Sequence, residues 1–368
     1  MSDSAHDTDH ALEAVEPYLQ LAIDKNASDL YFTTHAPVML RVEGEIYPVK
    51  SKTREPLTPD RVEALVLSIM TDDQKAHYEQ HHEVDFAYRF GLQGRFRVNV
   101  FRQRGSAAMV LRNIGNVPDF DTFDLPPVLK RLSMQKRGLI MVVGATGSGK
   151  STTLAAMINH RSENANGHIL TIEDPIEFMY RHKRSIVNQR ELGTDTLDFA
   201  RAVRSAMREA PDVVQIGETR DLATAEAAIQ LAGTGHLALT TLHGNNAYQA
   251  LQRLIALFPE FAREALFMDL SLNLRAIISQ RLVRGVGGKR VAAFEILLNT
   301  PYIADLIRQG RIDSVREAMS EGDGGEGMAT FDDSLLALVR EGQISQEQAL
   351  AYADSRENLQ SRMAFEHL

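Results

Sequence analysis

The run Gly144-Ala145-Thr146-Gly147-Ser148-Gly149-Lys150-Ser151-Thr152 constrains this chain more than any other stretch. It fits the spacing G-x-x-x-x-G-K-[ST], and its flanks suit the motif. The apolar run Leu139–Val143 before it is short enough for a buried parallel strand. The run Thr153–Ile158 after it is a good helix former. Strand, glycine loop and helix together predict a phosphate cradle. Glycines let backbone N–H groups turn inward around a polyphosphate, and the helix N-terminus adds partial positive charge. Lys150 reaches β- and γ-phosphates in such a loop, and the Ser151 hydroxyl ligates Mg²⁺. A glycine-rich turn that binds nothing is the competing account, and the strand and helix on either side argue against it.

Three further signals follow in order. Thr171-Ile172-Glu173-Asp174-Pro175-Ile176-Glu177 sets carboxylates after a predicted strand, where ligands of open α/β sheets bind. Pro211–Asp221 puts Glu218 just past the apolar strand Val213–Ile216, where a carboxylate can hold or activate a metal-bound water. Finally, His236 and His243 bracket the strand Leu237–Thr241. A strand of that length separates them by about 17 Å, so they cannot share a metal. If the strands are parallel, only His243 shares an edge with the glycine loop. Each signal also has a plainer account. Carboxylates after strands often cap helices or sit in solvated turns, and histidines beside strands are commonly structural. His77, His81 and His82 cluster at a helix end without a further ligand at metal spacing, and read as solvated. Jointly, the signals supply a cradle for ATP, Mg²⁺ and groups to orient water. For transition-state charge there are Arg204, Arg208 and Arg220, and Arg95, Arg97 and Arg112 earlier in the chain, with no basis for choosing among them.

The 368 residues predict more than one domain. Residues 1–117 read as an α+β domain. A helix over residues 11–24 leads into strands Leu30–Thr33, Val38–Val42 and Ile46–Val49, then a helix capped by Thr58-Pro59. A meander of Val84–Phe90, Arg95–Arg102 and Ala107–Ile114 follows. Residues 118–137, with their prolines and acids, read as a linker. Residues 138–298 alternate strand and helix, which predicts an α/β core with a largely parallel sheet. The expected strands are Leu139–Val143, His168–Ile172, Ser185–Gln189, Val213–Ile216, Leu237–Thr241 and Arg290–Leu298, with a helix over Glu264–Leu274. Residues 299–368 read as a small helical region with a mobile acidic loop at 317–327 and a frayed end from Asp354.

With no cysteine, disulfides and Cys-based zinc sites are impossible, which is compatible with a reducing cytoplasm. The acidic first residues are unlike a signal peptide, and no apolar run is long enough to predict a membrane span. A net charge of −9 argues against nucleic acid as the main partner.

Taken in order, Gly144–Met157, Ile169–Phe178, Ile216–Asp221, Thr234-Gly235-His236 and Thr241-Leu242-His243 resemble the secretion ATPase superfamily, and within it the type IV pilus retraction ATPases, the PilT/PilU family. The resemblance spans about residues 20–312. It implies a PAS-like first domain and a RecA-like P-loop ATPase core, with ATP and Mg²⁺ as cofactors. It implies that Glu177 acts on the attacking water and that Glu218 is the Walker B glutamate. His236 and His243 would be the catalytic histidine pair. Arg95 and Arg112 would meet nucleotide from the first domain, while Arg204 and Arg208 would lie near a subunit boundary. The implied assembly is a cytoplasmic homo-hexamer, peripheral at the inner membrane, that acts on a pilus platform protein. The absence of cysteine disfavours the extension and type II secretion branches. Retraction motors of the PilT branch carry Ala-Ile-Arg-Asn-Leu-Ile-Arg-Glu where this chain has Tyr302-Ile303-Ala304-Asp305-Leu306-Ile307-Arg308-Gln309. That departure, with Ala228–Gly233, resembles the accessory PilU branch, which acts with a PilT partner. Whether the chain works alone or with that partner stays open, as does a nucleotide-binding subunit of mainly structural role.

Overall fold

An alternation of apolar and polar residues over Gly94–Gln103 organises the N-terminal part of the chain. The computed structural model describes residues 14–42, 44–49, 55–91, 94–115, 117, 119–320 and 327–366. Residue contacts divide the chain into Met1–Asn116 with Glu177–Met179, and Val117–Ile176 with Tyr180–Leu368.

In the first unit, helix α1 (Glu16–Asp24) precedes β1 (Asp29–Thr33), β2 (Met39–Val42) and β3 (Glu45–Pro48). Helix α2 (Pro59–Ser68) starts as expected: the Thr58 side chain accepts from Arg61 N, and Pro59 occupies the first turn. Helix α3 (Asp72–His81) opens on a Thr71/Gln74 capping box. Strands β4 (Glu83–Phe90), β5 (Gly94–Gln103) and β6 (Ser106–Ile114) form the expected meander. The sheet order is β3-β2-β1-β6-β5-β4, with every neighbour antiparallel. Phe96, Val98 and Val100 of β5 are buried with Leu30, Phe32, Leu65 and Tyr78. The opposite face carries Arg95, Arg97 and Asn99, and Arg97 pairs in register with Arg112 of β6.

The second unit begins earlier than the alternation predicts. Residues 118–137 are not a spacer: a 3-10 turn (Phe120–Phe123) and helix α4 (Val128–Ser133) bury Phe120, Leu125, Leu129 and Leu132 in the core of this unit. Their apolar spacing outweighs the prolines around them. Strand β7 (Gly138–Val143), fully buried, leads to α5 (Lys150–Asn164). Then come β8 (Gly167–Glu173), β9 (Ser185–Glu191), α6 (Phe199–Ala206), β10 (Val213–Ile216), α7 (Leu222–Gly233), β11 (Leu237–Leu242), α8 (Ala247–Ala256) and α9 (Arg263–Asn273). The helix expected over Glu264–Leu274 ends at Asn273, and an unanticipated strand, β12 (Leu274–Arg284), follows at once. It pairs parallel to β7 on one side and antiparallel to β13 (Arg290–Leu298) on the other. The sheet order is β13-β12-β7-β11-β10-β8-β9, parallel apart from β13.

Past the sheet lie α10 (Pro301–Arg308), α11 (Ile312–Ser320), α12 (Phe331–Arg340), α13 (Gln346–Tyr352) and α14 (Arg356–Phe365). The end expected to fray from Asp354 is instead helical, because α14 buries Leu359 and Met363 against Phe331 and Leu335. Of the expected acidic loop at 317–327, residues 317–320 belong to α11, and 321–326 lie outside the described residues, as do 1–13. Among the described residues, no helix is long and apolar enough to cross a membrane.

Candidate functional site

The register decides which residues meet. Val143 pairs with Leu242 and with Ser279, and Ile216 pairs with Thr240 and Ile172. The residues that follow these positions therefore leave the sheet at one edge. They are Gly144 after β7, His243 after β11, Glu218 after β10 and Asp174 after β8; beside them, Gln280 follows the last β12 residue paired with β7, in a strand that runs on along β13 to Arg284. The carboxyl edge of a parallel sheet is where α/β folds place ligands.

Residues Gly144 to Gly149 turn β7 into α5. Gly149, at φ +91°, is the N-cap of α5 and has no side chain to satisfy the first-turn amides, which point into the loop. A Cβ on Gly144 would lie 2.4 Å from Ser148 Oγ and 2.6 Å from the Gln280 carbonyl, so only glycine fits. Ala145, Thr146 and Gly147 are exposed at the tip, and Ser151 and Thr152 are half-buried at the start of α5. Lys150 Nζ donates to the carbonyls of Gly144 and Ala145, at 2.9 Å each. Its ammonium thus lies over the loop mouth. Ser148 Oγ is buried and lacks a hydrogen-bond partner among the described residues. A cradle with uncapped amides, an ammonium at its mouth and an unsatisfied hydroxyl fits a polyphosphate.

Gln280 was not foreseen as part of this loop. Thr153 Oγ1 donates to Gln280 Oε1 at 2.7 Å, and the Gln280 amide nitrogen lies 2.9 Å from where a Cβ on Gly149 would fall. Gln280 thus braces the glycine loop from β12. A buried glutamine in an apolar run was the available signal, but it was visible only once that run was known to be a strand next to β7.

Glu218 is stapled from both sides. Gly217 N donates to Ile172 O at 2.7 Å, and Thr219 N donates to Thr241 O at 2.9 Å. Thr241 Oγ1 donates to Gly217 O at 2.6 Å. The Glu218 carboxylate then meets Arg220 Nε at 2.6 Å and His243 Nε2 at 3.0 Å. Arg220 also approaches Asp174, at 3.7 Å. The hydrogen bond to Glu218 holds the Arg220 guanidinium pKa above its ordinary value. This edge therefore gathers Asp174, Glu218, Arg220 and His243 beside one another. No group of His, Asp or Glu residues suited to holding a metal by themselves is found among the described residues. A Mg²⁺ that takes its ligands from phosphates, water and the Ser151 hydroxyl needs no such group.

Other expected residues lie apart. His236 sits at the far end of β11 from His243. Its Nδ1 is 3.2 Å from Thr234 Oγ1 and from Leu231 O, and its carbonyl accepts from Gly138 N. The parallel register separates the two histidines, so His236 does not join the phosphate loop of its own subunit. Arg204 and Arg208 are exposed on and just after α6. The chain there turns toward the amino edge, where His168 Nδ1 meets Glu209 O. Glu177 is exposed and belongs by its contacts to the first unit. Arg112 donates to the buried Asp29 at 2.9 Å, on the same face as Arg95 and Arg97.

A strand–glycine loop–helix cradle at the carboxyl edge of this sheet, with a glutamate and histidine beside it, defines a P-loop nucleotide hydrolase of RecA-like core. The chain belongs to the type II/IV secretion system protein family, which it matches over residues 4–320. It is 46% identical over 346 residues to the type IV pilus ATPase PilU of Pseudomonas aeruginosa, across 94% of this chain and 90% of that protein. It is 42% identical over 341 residues to the type IV pilus retraction ATPase PilT of the same organism, across 92% of this chain and 98% of that one. The crystal structure of the pilus retraction motor PilT with bound ADP matches with a TM-score of 0.86 at 40% identity, covering 95% of this chain and 99% of that one.

Proposed function

We propose that this chain is a Mg²⁺-dependent ATPase that drives or assists type IV pilus retraction, and hence twitching motility, as an accessory motor of the PilU kind. The observation that carries this reading is the joining of a fitting phosphate cradle to the Glu218–His243–Arg220 cluster, in a chain similar over nearly its whole length to pilus ATPases.

The amides of Gly147–Ser151 and the Lys150 ammonium bind the β- and γ-phosphates of ATP. Ser151 and Glu218 would hold Mg²⁺, which when bound would supply positive charge against the phosphates. Glu218 orients the attacking water, held in place by His243 and Arg220. Glu177, which belongs by its contacts to the first unit, is kept as a candidate for acting on water by the family resemblance alone. Arg95, Arg112, Arg204 and Arg208 are candidates for charge supplied across subunit boundaries, in a homo-oligomer we take to be a hexamer. The first unit is read as PAS-like. We place the assembly in the cytoplasm at the inner membrane, acting on the pilus platform protein together with a PilT-type partner.

The test is Lys150→Ala. Its ATP turnover should fall by roughly 10²-fold or more, since the residue carries phosphate charge in the transition state. Retraction should fail in cells that depend on this chain. A wild-type preparation with no ATP turnover, or a Lys150→Ala strain with unaltered retraction and pilus number, would sink the reading. Loss of surface pili on deletion, rather than their excess, would favour an assembly role.

A further inference from the structure

The segment from His243 to Ala247 connects the catalytic edge to α8, and side chains from several elements pin it. Arg253 Nη1 donates to His243 O at 2.6 Å. Asn246 caps α8 by accepting from Gln249 N. Glu295 of β13 accepts from Ala247 N at 2.6 Å. Arg281 Nη2 donates to Asn245 O at 3.2 Å.

Arg281 also reaches in the other direction. It donates through Nη1 to Tyr352 O at 2.7 Å and pairs through Nη2 with Asp354 at 2.6 Å. Its guanidinium carbon lies 3.8 Å from the centroid of the buried Phe331 ring. Phe331 begins α12, Tyr352 ends α13, and Asp354 opens the turn into α14. Asp332 secures that turn by accepting from Asp354 N and Ser355 N. One guanidinium therefore touches the C-terminal helices and the histidine-bearing segment together. Its neighbour in β12, Gln280, braces the glycine loop. Successive residues of a strand face opposite ways, so β12 sends one side chain to the phosphate cradle and the next to the C-terminal helices.

We infer that Arg281 is a positioning residue: by clamping Asn245 O to Asp354, Tyr352 O and Phe331, it makes the placement of His243 against Glu218 depend on how the C-terminal helices are packed. The inference rests on the hydrolase reading for its catalytic consequence but not for its structural one. The guanidinium suits this task because its planar fork donates in several directions at once while stacking on an aromatic face. A lysine keeps the charge and can still pair with Asp354, but it lacks the geometry to hold both carbonyls and the ring. A helical region outside the phosphate cradle would then set the rate of turnover, and a partner that shifts α12–α14 would be felt at Glu218.

The experiment uses the full chain in three forms: Arg281→Lys, Asp354→Asn and the double variant. Each is assayed for ATP turnover, for ADP binding and for amide hydrogen exchange. Arg281→Lys should lower kcat by roughly tenfold, within the range that small misplacements of a catalytic group cost. KM and ADP affinity should stay within about twofold, because the phosphate cradle is untouched. Asp354→Asn should lower kcat in the same direction, and the double variant should be no worse than Arg281→Lys alone, as expected for groups acting through one clamp. Exchange should quicken over 243–247 and stay unchanged over 144–150. The inference is overturned by wild-type kcat and wild-type exchange at 243–247 in both single variants. It is equally overturned if their effects add and exchange rises evenly across the sheet, which is the mark of a merely structural contact. Should the wild-type chain show no turnover, the hydrolase reading fails, and the exchange data alone decide whether the clamp exists.

Discussion

The two ends of β11 carry the same side chain in opposite circumstances. At the carboxyl end, His243 meets a carboxylate that also holds an arginine, at the sheet edge that carries the phosphate cradle. At the amino end, His236 meets a threonine hydroxyl and a helix carbonyl, and its own carbonyl caps the start of β7. One histidine can reorganise when charge changes beside it, and the other ties a turn to a helix end. The contrast extends to the neighbours. The carboxyl edge collects Asp174, Glu218 and Arg220, which interact through ions. At the amino edge, Asp212 accepts from His168 N, and Arg275 donates to backbone carbonyls. In a parallel sheet the direction of the strands sorts chemistry to one edge and scaffolding to the other.

That contrast can be broken by substitutions at each edge. The largest effect is expected for Glu218→Gln, which keeps the shape but loses the charge that orients water. Its kcat should drop by roughly 10²–10³-fold while ATP still binds, measured by turnover against equilibrium nucleotide binding. Undiminished turnover would remove Glu218 from the reactive edge.

The next effect concerns Glu295, which anchors the first amide of α8 beside that edge. Burial pushes its carboxyl up from the ordinary 4.5 to about 7, against the opposing pull of the Ala247 amide. The folded chain thus binds this proton more tightly than the unfolded chain does. Stability from this group is complete below about pH 4.5 and is lost as pH rises through about 7, a change on the order of 3 kcal/mol. Denaturant unfolding at about pH 5 and about pH 8 should show the loss, and Glu295→Gln should flatten it. A wild-type curve already flat across that window would refute the assignment.

The smallest effects separate the histidines themselves. His243→Ala should reduce kcat by about tenfold with little change in melting temperature. His236→Ala should cost about 1 kcal/mol of stability, through its lost hydrogen bonds, and leave the kcat of the folded protein unchanged. If His236→Ala slows turnover as much as His243→Ala without destabilising the fold, the division between the two edges fails.

Much of this was legible in the linear chain. The cradle, its flanking strand and helix, the carboxylates after β8 and β10, and the alternating face of β5 all follow from local pattern. A short periodic signal reports a single element, so these elements are recognisable one at a time. Strand β12 escaped because Arg275, Ser279, Gln280 and Arg281 interrupt its apolar residues and α9 runs into it without a turn. The role of Gln280 escaped with it. Residues 118–137 misled because proline and aspartate signal broken backbone, while the burial of Phe120, Leu125 and Leu129 depends on surfaces contributed from elsewhere in the chain.

By itself the sequence determined that a phosphate-binding loop would form and which residue types would surround a phosphate. Glycine freedom, helix capping and hydrophobic period act over a few residues, so they can be read without knowing the fold. Only the tertiary structure decided which of those residues share an edge. Strand order and register set that, bringing Glu218 to His243, leaving His236 a strand's length away, and placing Gln280 and Arg281 between the cradle and the C-terminal helices. Pairings between distant segments are settled by packing the whole sheet at once, and no local stretch encodes them.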